Sequence, residues 1–136
     1  MSTTMPNEDL RELFLFEHLS DDQLDTLCRE GHVVEIEPGP LYTEGEPATC
    51  FYVLVSGEVV MSKMSAGEDI QISRTSQKGV YAGAWQAYLG EMGSDTYPAA
   101  MRAVAQSRFF VLDADVFGRL VREWFPMAVH LLEGLF

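Results

Sequence analysis

The spacing of apolar residues changes along the chain from a helical period to a strand period. In the first 31 residues, apolar positions such as Leu24 and Leu27 recur every three or four residues, which predicts short amphipathic helices. Ser20 and Gln23 form a capping-box pattern at the start of the second helix. From residue 32 onwards apolar and polar residues alternate, with glycine-containing turns between the alternating runs. This second pattern is typical of a β-sandwich or a β-barrel.

Two later segments depart from the strand pattern. Residues 79–98 are rich in glycine and aromatic residues, which predicts a long loop with one helical turn. After further strands, Asp113 stands where it can cap a closing helix. The apolar residues Val116, Leu120 and Trp124 then share one face of that helix.

The patterns divide one domain into three segments. These are an N-terminal helical segment at 1–31, a β-barrel at 32–113 and a C-terminal helical segment at 114–136, and a length of 136 residues fits one domain. The chain stops on Leu135 and Phe136 without a polar cap. From this ending we expect a fragment of a longer protein, or a helix that a partner chain completes.

The charge of the chain excludes some partners. It has 21 acidic and 9 basic residues, a formal net charge of −12. Binding to the nucleic-acid backbone needs a stripe of Lys and Arg, and anionic membranes attract basic segments, so neither partner is expected. The acidic start does not resemble a signal peptide, and no apolar run approaches the ~18 residues of a spanning helix. We therefore expect a cytoplasmic protein.

Residue types that carry metal or nucleophilic chemistry are scattered along the sequence. His18, His32 and His130 lie far apart, and no pair has the spacing of metal ligands. Cys28 and Cys50 fit as small core residues. No nucleophile elbow or phosphate-binding loop is present. We expect no metal, no catalytic residue and no enzymatic activity in this chain, and the histidine spacing disfavours a metal-dependent cupin enzyme.

The most specific pattern lies between residues 39 and 59. It consists of a glycine, the turn E-G-E-P-A and then F-Y-x-L-x-x-G-x-V, and it resembles the cyclic nucleotide-binding domain family. The matching residues are Gly39, Glu44, Gly45, Glu46, Pro47, Ala48, Phe51, Tyr52, Leu54, Gly57 and Val59. The resemblance covers residues 10–136. It implies a mainly β fold, an eight-stranded, cupin-like jelly-roll barrel (a double-stranded β-helix) with N-terminal helices and a C-terminal helical segment.

The ligand site of that family is where this sequence departs. The resemblance implies a cassette in which a glutamate holds the ribose hydroxyl and an arginine pairs with the cyclic phosphate. Here the glutamate position holds Ala84, the arginine position holds Tyr97, and the next residue is Pro98, which has no N–H to donate. Arg102 lies an odd number of positions from Tyr97, so an extended strand would place it on the opposite face. We therefore expect no cofactor, and no cAMP or cGMP in the family's mode.

Two interpretations of the altered cassette stay open. The aromatic residues Trp85, Tyr88 and Tyr97 either fill the former pocket as core, or line a pocket for a different, less anionic ligand. A true cyclic-nucleotide binder with an atypical pocket is a further alternative. The candidate ligand-binding residues are Gly83, Ala84, Trp85, Tyr97, Pro98 and Ala99.

The resemblance implies a regulatory module that passes a signal to an attached output domain. We expect the sensory domain of a larger signalling protein, with a sensor histidine kinase favoured as the parent. The alternatives are the sensor of a catabolite-activator-type transcription regulator and a pure interaction module. We expect the closing helix to transmit the signal and to form a homodimer through an apolar surface. That surface comprises Trp124, Phe125, Met127, Leu131, Leu132, Leu135 and Phe136.

Overall fold

The computed structural model describes residues 7–13, 16–17, 19–84 and 96–124. In these ranges it contains three helices and eight strands. The helices are α1 (Asn7–Arg11), α2 (Asp21–Glu30) and α3 (Ala114–Glu123). The strands are β1 (His32–Ile36), β2 (Gly39–Tyr42), β3 (Cys50–Ser56), β4 (Val59–Ser65), β5 (Glu68–Thr75), β6 (Tyr81–Gly83), β7 (Ala100–Ala103) and β8 (Ser107–Asp113).

The strands form two four-stranded antiparallel sheets with the orders β1-β8-β3-β6 and β2-β7-β4-β5. Strands that are neighbours in a sheet are mostly distant in the sequence, as in a jelly roll. The mainly β, eight-stranded barrel that the sequence predicts is therefore confirmed. Within the described ranges, no helix is long and apolar enough to cross a bilayer.

Two apolar clusters lie on the two sides of the first sheet. One fills the barrel between the sheets, with Leu54 and Phe109 from the first sheet and Met101 from the second. The other lies between the outer face of the first sheet and the helices, where Phe110 and Phe117 are fully buried. The helices thus cover one wall of the barrel, while β5 of the second sheet is largely exposed.

Strand β3 contributes to both clusters. Phe51 and Val53 face the helices, whereas Tyr52 and Leu54 face the barrel interior. Its two edges are hydrogen-bonded to β6 and β8. The nearly unbroken apolar run from Cys50 onwards predicts a strand covered on both faces, and the structure agrees.

The start of α2 is as predicted, and its end has a different cause from the one the sequence suggests. The backbone N–H of Gln23 donates to Ser20 Oγ at 3.2 Å, and Gln23 Oε1 accepts from the N–H of Ser20 at 2.8 Å. Gly31 does end the helix, but in an extended conformation rather than the left-handed one. A Cβ on Gly31 would lie 2.3 Å from Cζ of Phe110, so the close approach of that ring requires glycine.

Two local expectations are wrong. Asp113 occupies the N-cap position of α3, but its side chain makes no capping hydrogen bond. Residues 81–83 form β6 instead of loop because their backbone pairs with β3. The rest of the glycine-aromatic segment up to residue 95 lies outside the described residues, as does the apolar segment 125–136.

Phe51 joins the barrel to the closing helix. Its ring stacks on Phe117 of α3 with centroids 3.7 Å apart. We expect Phe51→Ala to lower the free energy of unfolding by about 3–5 kcal/mol, because it leaves a cavity between β3 and α3. Urea unfolding followed by circular dichroism measures this loss. The control Ile72→Ala, at a side chain that is 55% exposed, should change stability by about 0.5 kcal/mol or less, and equal losses in both variants would contradict the prediction.

Candidate functional site

The site begins where β6 ends, at Gly83 and Ala84. Gly83 has a φ of +99°, and a Cβ there would lie 2.6 Å from the carbonyl oxygen of Cys50. Glycine is therefore required by both backbone conformation and space. The N–H of Ala84 donates to that same oxygen at 3.0 Å, and its side chain is buried. The position at which the resemblance to the family implies a glutamate is thus a buried methyl group.

Tyr97 approaches the barrel from the other side of the cassette, and its backbone is fixed to the turn after β2. Its N–H donates to the carbonyl of Glu46 at 2.9 Å, and its carbonyl accepts from the N–H of Gly45 at 3.0 Å. Pro47 and Thr96 form a further bridge beside this pair. These contacts hold the residue in register and direct its ring inwards.

The ring of Tyr97 occupies the barrel interior and is 4% exposed. It stacks on Tyr42 with centroids 3.9 Å apart, and Tyr42 stacks in turn on Tyr52 at 5.9 Å. The Tyr97 hydroxyl accepts hydrogen bonds from the backbone N–H groups of Thr49 and Cys50, each at 3.2 Å. The phenol thus fills space and satisfies two backbone donors at the start of β3.

Burial makes the interior phenols poor acids. It raises the pKa of Tyr42, and the neighbouring Tyr97 and Tyr52 raise it further, while a backbone hydrogen bond from Gly83 opposes the rise. Burial also raises the pKa of Tyr52, with added contributions from Cys50 and Tyr97. On the helix side of the first sheet, beside Phe51, burial raises the pKa of Tyr81 to about 12. At neutral pH the phenols of Tyr42, Tyr52 and Tyr81 are therefore uncharged.

The residues after Tyr97 alternate between the two faces of the second sheet. Ala99 and Met101 are buried on the interior side, whereas Pro98 and Arg102 are exposed. The carbonyl of Pro98 accepts a hydrogen bond from Lys63 Nζ at 2.8 Å. Arg102 therefore lies on the outer face, as the odd spacing predicts, and its guanidinium is separated from the interior by the sheet.

A cyclic phosphate does not fit the described interior. None of the Lys and Arg residues that the structure describes is buried. An anion placed there would lose its hydration without gaining a charged partner, which is strongly unfavourable. The stacked rings of Tyr42, Tyr52 and Tyr97 also occupy part of this interior. The arrangement suits aromatic packing and uncharged hydrogen bonding.

The structure brings Gly83, Ala84 and Tyr97 together around the start of β3. Ala99 continues the buried face, Pro98 lies outside, and Trp85 falls outside the described residues. Sequence reasoning missed two members of the tyrosine stack, Tyr42 and Tyr52. Tyr52 could have been predicted to face the interior, because it alternates along β3 with residues that face the helices. Tyr42 precedes a turn, and no such alternation surrounds it. In the described ranges, no three His, Cys, Asp or Glu side chains are grouped as metal ligands.

Comparison with known proteins agrees with this architecture. The cyclic nucleotide-binding domain profile matches residues 33–123. The sensor domain of the transcriptional regulator DNR from Pseudomonas aeruginosa is similar in structure, with a TM-score of 0.77 and 26% identity over 95% of this chain and 85% of that chain.

Two longer relatives are similar over part of their length. A crystal structure of DNR from Pseudomonas aeruginosa gives a TM-score of 0.75 and 26% identity over 94% of this chain and 56% of that chain. The regulatory domain of Toxoplasma gondii PKA, crystallised with cAMP, gives a TM-score of 0.72 and 27% identity over 86% of this chain and 43% of that chain. This chain therefore spans about half the length of these two proteins.

The raised pKa values of the tyrosines predict an unusual alkaline titration. Tyr42, Tyr52 and Tyr81 should stay neutral at pH 11 in the folded protein, because burial raises their pKa values above about 10, the value of an unfolded phenol. Their contribution to stability is complete below about pH 10 and is lost as the pH rises through their folded pKa values. Absorbance at 295 nm measures ionisation, and the chain has five tyrosines.

We expect at most two of the five tyrosines to ionise by pH 11 in buffer and all five in concentrated urea. Circular dichroism at each pH shows whether the fold is intact. If all five tyrosines ionised near pH 10 while the circular dichroism spectrum stayed unchanged, the burial of these tyrosines would be contradicted.

Proposed function

Because the chain belongs to the cyclic nucleotide-binding domain family, we propose that it is the sensory and regulatory domain of a larger signalling protein, and that it does not bind cAMP or cGMP in the family's mode. The position of Tyr97 carries this proposal. Its ring lies on Tyr42 in the interior, and its hydroxyl is already engaged by two backbone N–H groups. A nucleotide would have to displace a buried ring and would find no arginine in its place.

Of the two interpretations of the cassette, the filled core is the one that the contacts support. The Tyr42–Tyr97 stack is as close as 3.9 Å between centroids, which leaves no room for a ligand between the rings. A repurposed interior pocket would need the stack to open first. We therefore propose that the interior is a rigid aromatic core.

The hydrogen bonds of Thr49 suggest how the interior communicates with α3. Its N–H donates to the Tyr97 hydroxyl at 3.2 Å, and its carbonyl accepts from the N–H of Ala114, the first residue of α3, at 2.9 Å. Two residues further on, Phe51 stacks on Phe117 of the same helix. A movement of Tyr97 would therefore act on α3 through both its first backbone amide and its buried face.

The output domain is proposed in two forms. The 26% identity to the DNR sensor domain favours a transcription regulator, in which a DNA-binding domain would follow α3. A sensor histidine kinase remains the second candidate, and it rests on the sequence interpretation alone. In either form, we propose that this chain is cytoplasmic, catalyses no reaction itself and contacts nucleic acid only through an attached domain.

Titration calorimetry tests the ligand proposal directly. With the full chain we expect no saturable heat for cAMP or cGMP, which corresponds to a Kd weaker than about 1 mM. The reason is that the interior has Ala84 and Tyr97 where an anionic ribose phosphate needs a carboxylate and a guanidinium. A nucleotide-binding member of the family, titrated under the same conditions, is the positive control.

A second variant separates blocked space from missing charge. Tyr97→Gly opens the interior without adding a cation, and it should still fail to bind cAMP. Micromolar affinity of the unaltered chain would overturn the proposal. Micromolar affinity of Tyr97→Gly alone, with its fold intact by circular dichroism, would show that blocked space rather than charge excludes the nucleotide.

The proposed homodimer rests on the apolar pattern of the C-terminal segment. Trp124 is half-buried against the helical cluster, while Phe125, Leu131, Leu132 and Leu135 lie outside the described residues. We expect the chain to have the mass of a dimer in light scattering, and the double variant Leu131→Asp and Leu135→Asp to have that of a monomer. The control Glu123→Ala, at an exposed position of α3, should stay dimeric. A monomeric unaltered chain would contradict the proposal.

A further inference from the structure

The second sheet carries a groove on its outer face, and two residues of the interior cluster, Tyr42 and Met101, also contribute to its wall. The volume of the groove is about 300 Å³, within the range of small-molecule sites. It crosses β2, β7, β4 and the start of β5. The lining residues that matter here are Pro40, Ser62, Met64, Asp69, Ala100 and Arg102.

Ser62 lies in the floor of the groove and has an unused hydroxyl. The residue is 5% exposed, and none of the described residues makes a hydrogen bond to its side chain. The described residues contain no fully enclosed side-chain N or O atom without a partner. The Ser62 hydroxyl is therefore not fully enclosed, and it opens onto the groove, where a solvent molecule or a ligand can bond to it.

Arg102 provides an unpaired positive charge beside this hydroxyl. Six other Lys and Arg side chains of the described residues form ion pairs with carboxylates. The exposed guanidinium of Arg102 has no such partner within the ranges that the structure describes. A guanidinium can bind a carboxylate through two parallel hydrogen bonds, and no carboxylate in the described part of the chain uses that capacity here.

The strand register places the two groups within reach of one ligand. Arg102 lies opposite Val60, and Ser62 lies opposite Ala100. Two positions along a strand amount to about 7 Å on the same face, which is within the length of an arginine side chain. One anionic group can therefore contact the guanidinium of Arg102 and the hydroxyl of Ser62 together.

The other end of the groove is acidic. Asp69 lies opposite Met64 on the neighbouring strand, and Asp69 has no ion-pair partner among the described side chains. Glu44 accepts from the N–H of Met64 at 2.9 Å and lies 3.5 Å from Lys63 Nζ. These carboxylates would repel a second negative charge on a ligand, and a doubly charged phosphate more than a carboxylate.

We propose that this outer groove binds a small monocarboxylate with an apolar body. Its carboxylate lies between Arg102 and Ser62, and its apolar body lies along Pro40, Ala100 and Met64. The carboxylate of the ligand lies on the opposite side of the sheet from Tyr97, while Tyr42, on which Tyr97 stacks, belongs to both the groove wall and the interior. The groove gives the domain a ligand site that the filled interior lacks.

Octanoate is the probe, titrated into the full ¹⁵N-labelled chain and followed by NMR. We expect saturable shifts at the amides of Ser62, Ala100 and Arg102, with a Kd of about 1 mM or tighter. Arg102→Gln should weaken binding by about tenfold or more, because it removes a charge-assisted contact, and Ser62→Ala by a smaller factor. The control Arg108→Gln alters an exposed strand arginine on the other sheet that lies 3.6 Å from Glu35, and it should leave the affinity unchanged.

Three further results decide the chemistry of the site. Octan-1-ol and octyl phosphate should both bind more weakly than octanoate, since the first lacks the charge and the second carries an additional negative charge that Asp69 and Glu44 repel from the other end of the groove. Equal affinity of octan-1-ol, or tighter binding of octyl phosphate, would overturn the assignment of a carboxylate. Absence of saturable shifts up to about 10 mM, or unchanged affinity in Arg102→Gln, would overturn the site itself. Circular dichroism of each variant establishes that the fold is intact.

Discussion

The burial of strand β3 on both faces is the constraint on which the rest of the molecule depends. Alternate residues of the strand enter two different cores, with Phe51 among the helices and Leu54 in the barrel. Its edges are paired with β6 and β8, so its backbone is hydrogen-bonded on both sides. No position of β3 can shift without disturbing either the barrel or the helices. The fold can therefore couple its interior to α3 without a separate linking element.

The hydroxyl of Tyr97 acts at the point where this strand begins. It accepts from Thr49 and Cys50, and the carbonyl of Thr49 accepts in turn from the first amide of α3. The hydroxyl of Tyr97 is thus linked through the backbone of Thr49 to the first residue of α3.

Sequence reasoning succeeded where a local pattern determined the structure. The capping box at Ser20 and the doubly apolar run of β3 depend on neighbouring residues, and both formed as predicted. The three residues of β6 were missed, since their strand conformation comes from pairing with β3, which is distant in the sequence. The same limit applies to Gly31, whose role depends on the ring of Phe110. In the site, Tyr97 was identified by comparison with a motif, but its stacking partner Tyr42 could be found only from the three-dimensional packing.

The alternation of residues on β7 explains why no change of side-chain rotamer could bring Arg102 into the barrel interior. The strand that buries Ala99 and Met101 behind Tyr97 exposes Arg102 on its opposite face. A rotamer change cannot carry a guanidinium through a hydrogen-bonded sheet, and a shift of one residue in register would bury Arg102 and expose the whole apolar face. The charge that a nucleotide would need is thus held outside the barrel by the pairing of β7 with β2 and β4. On the outer face Arg102 offers a cation to an anionic ligand, and the two carboxylates at the other end of the groove favour a ligand with a single charge.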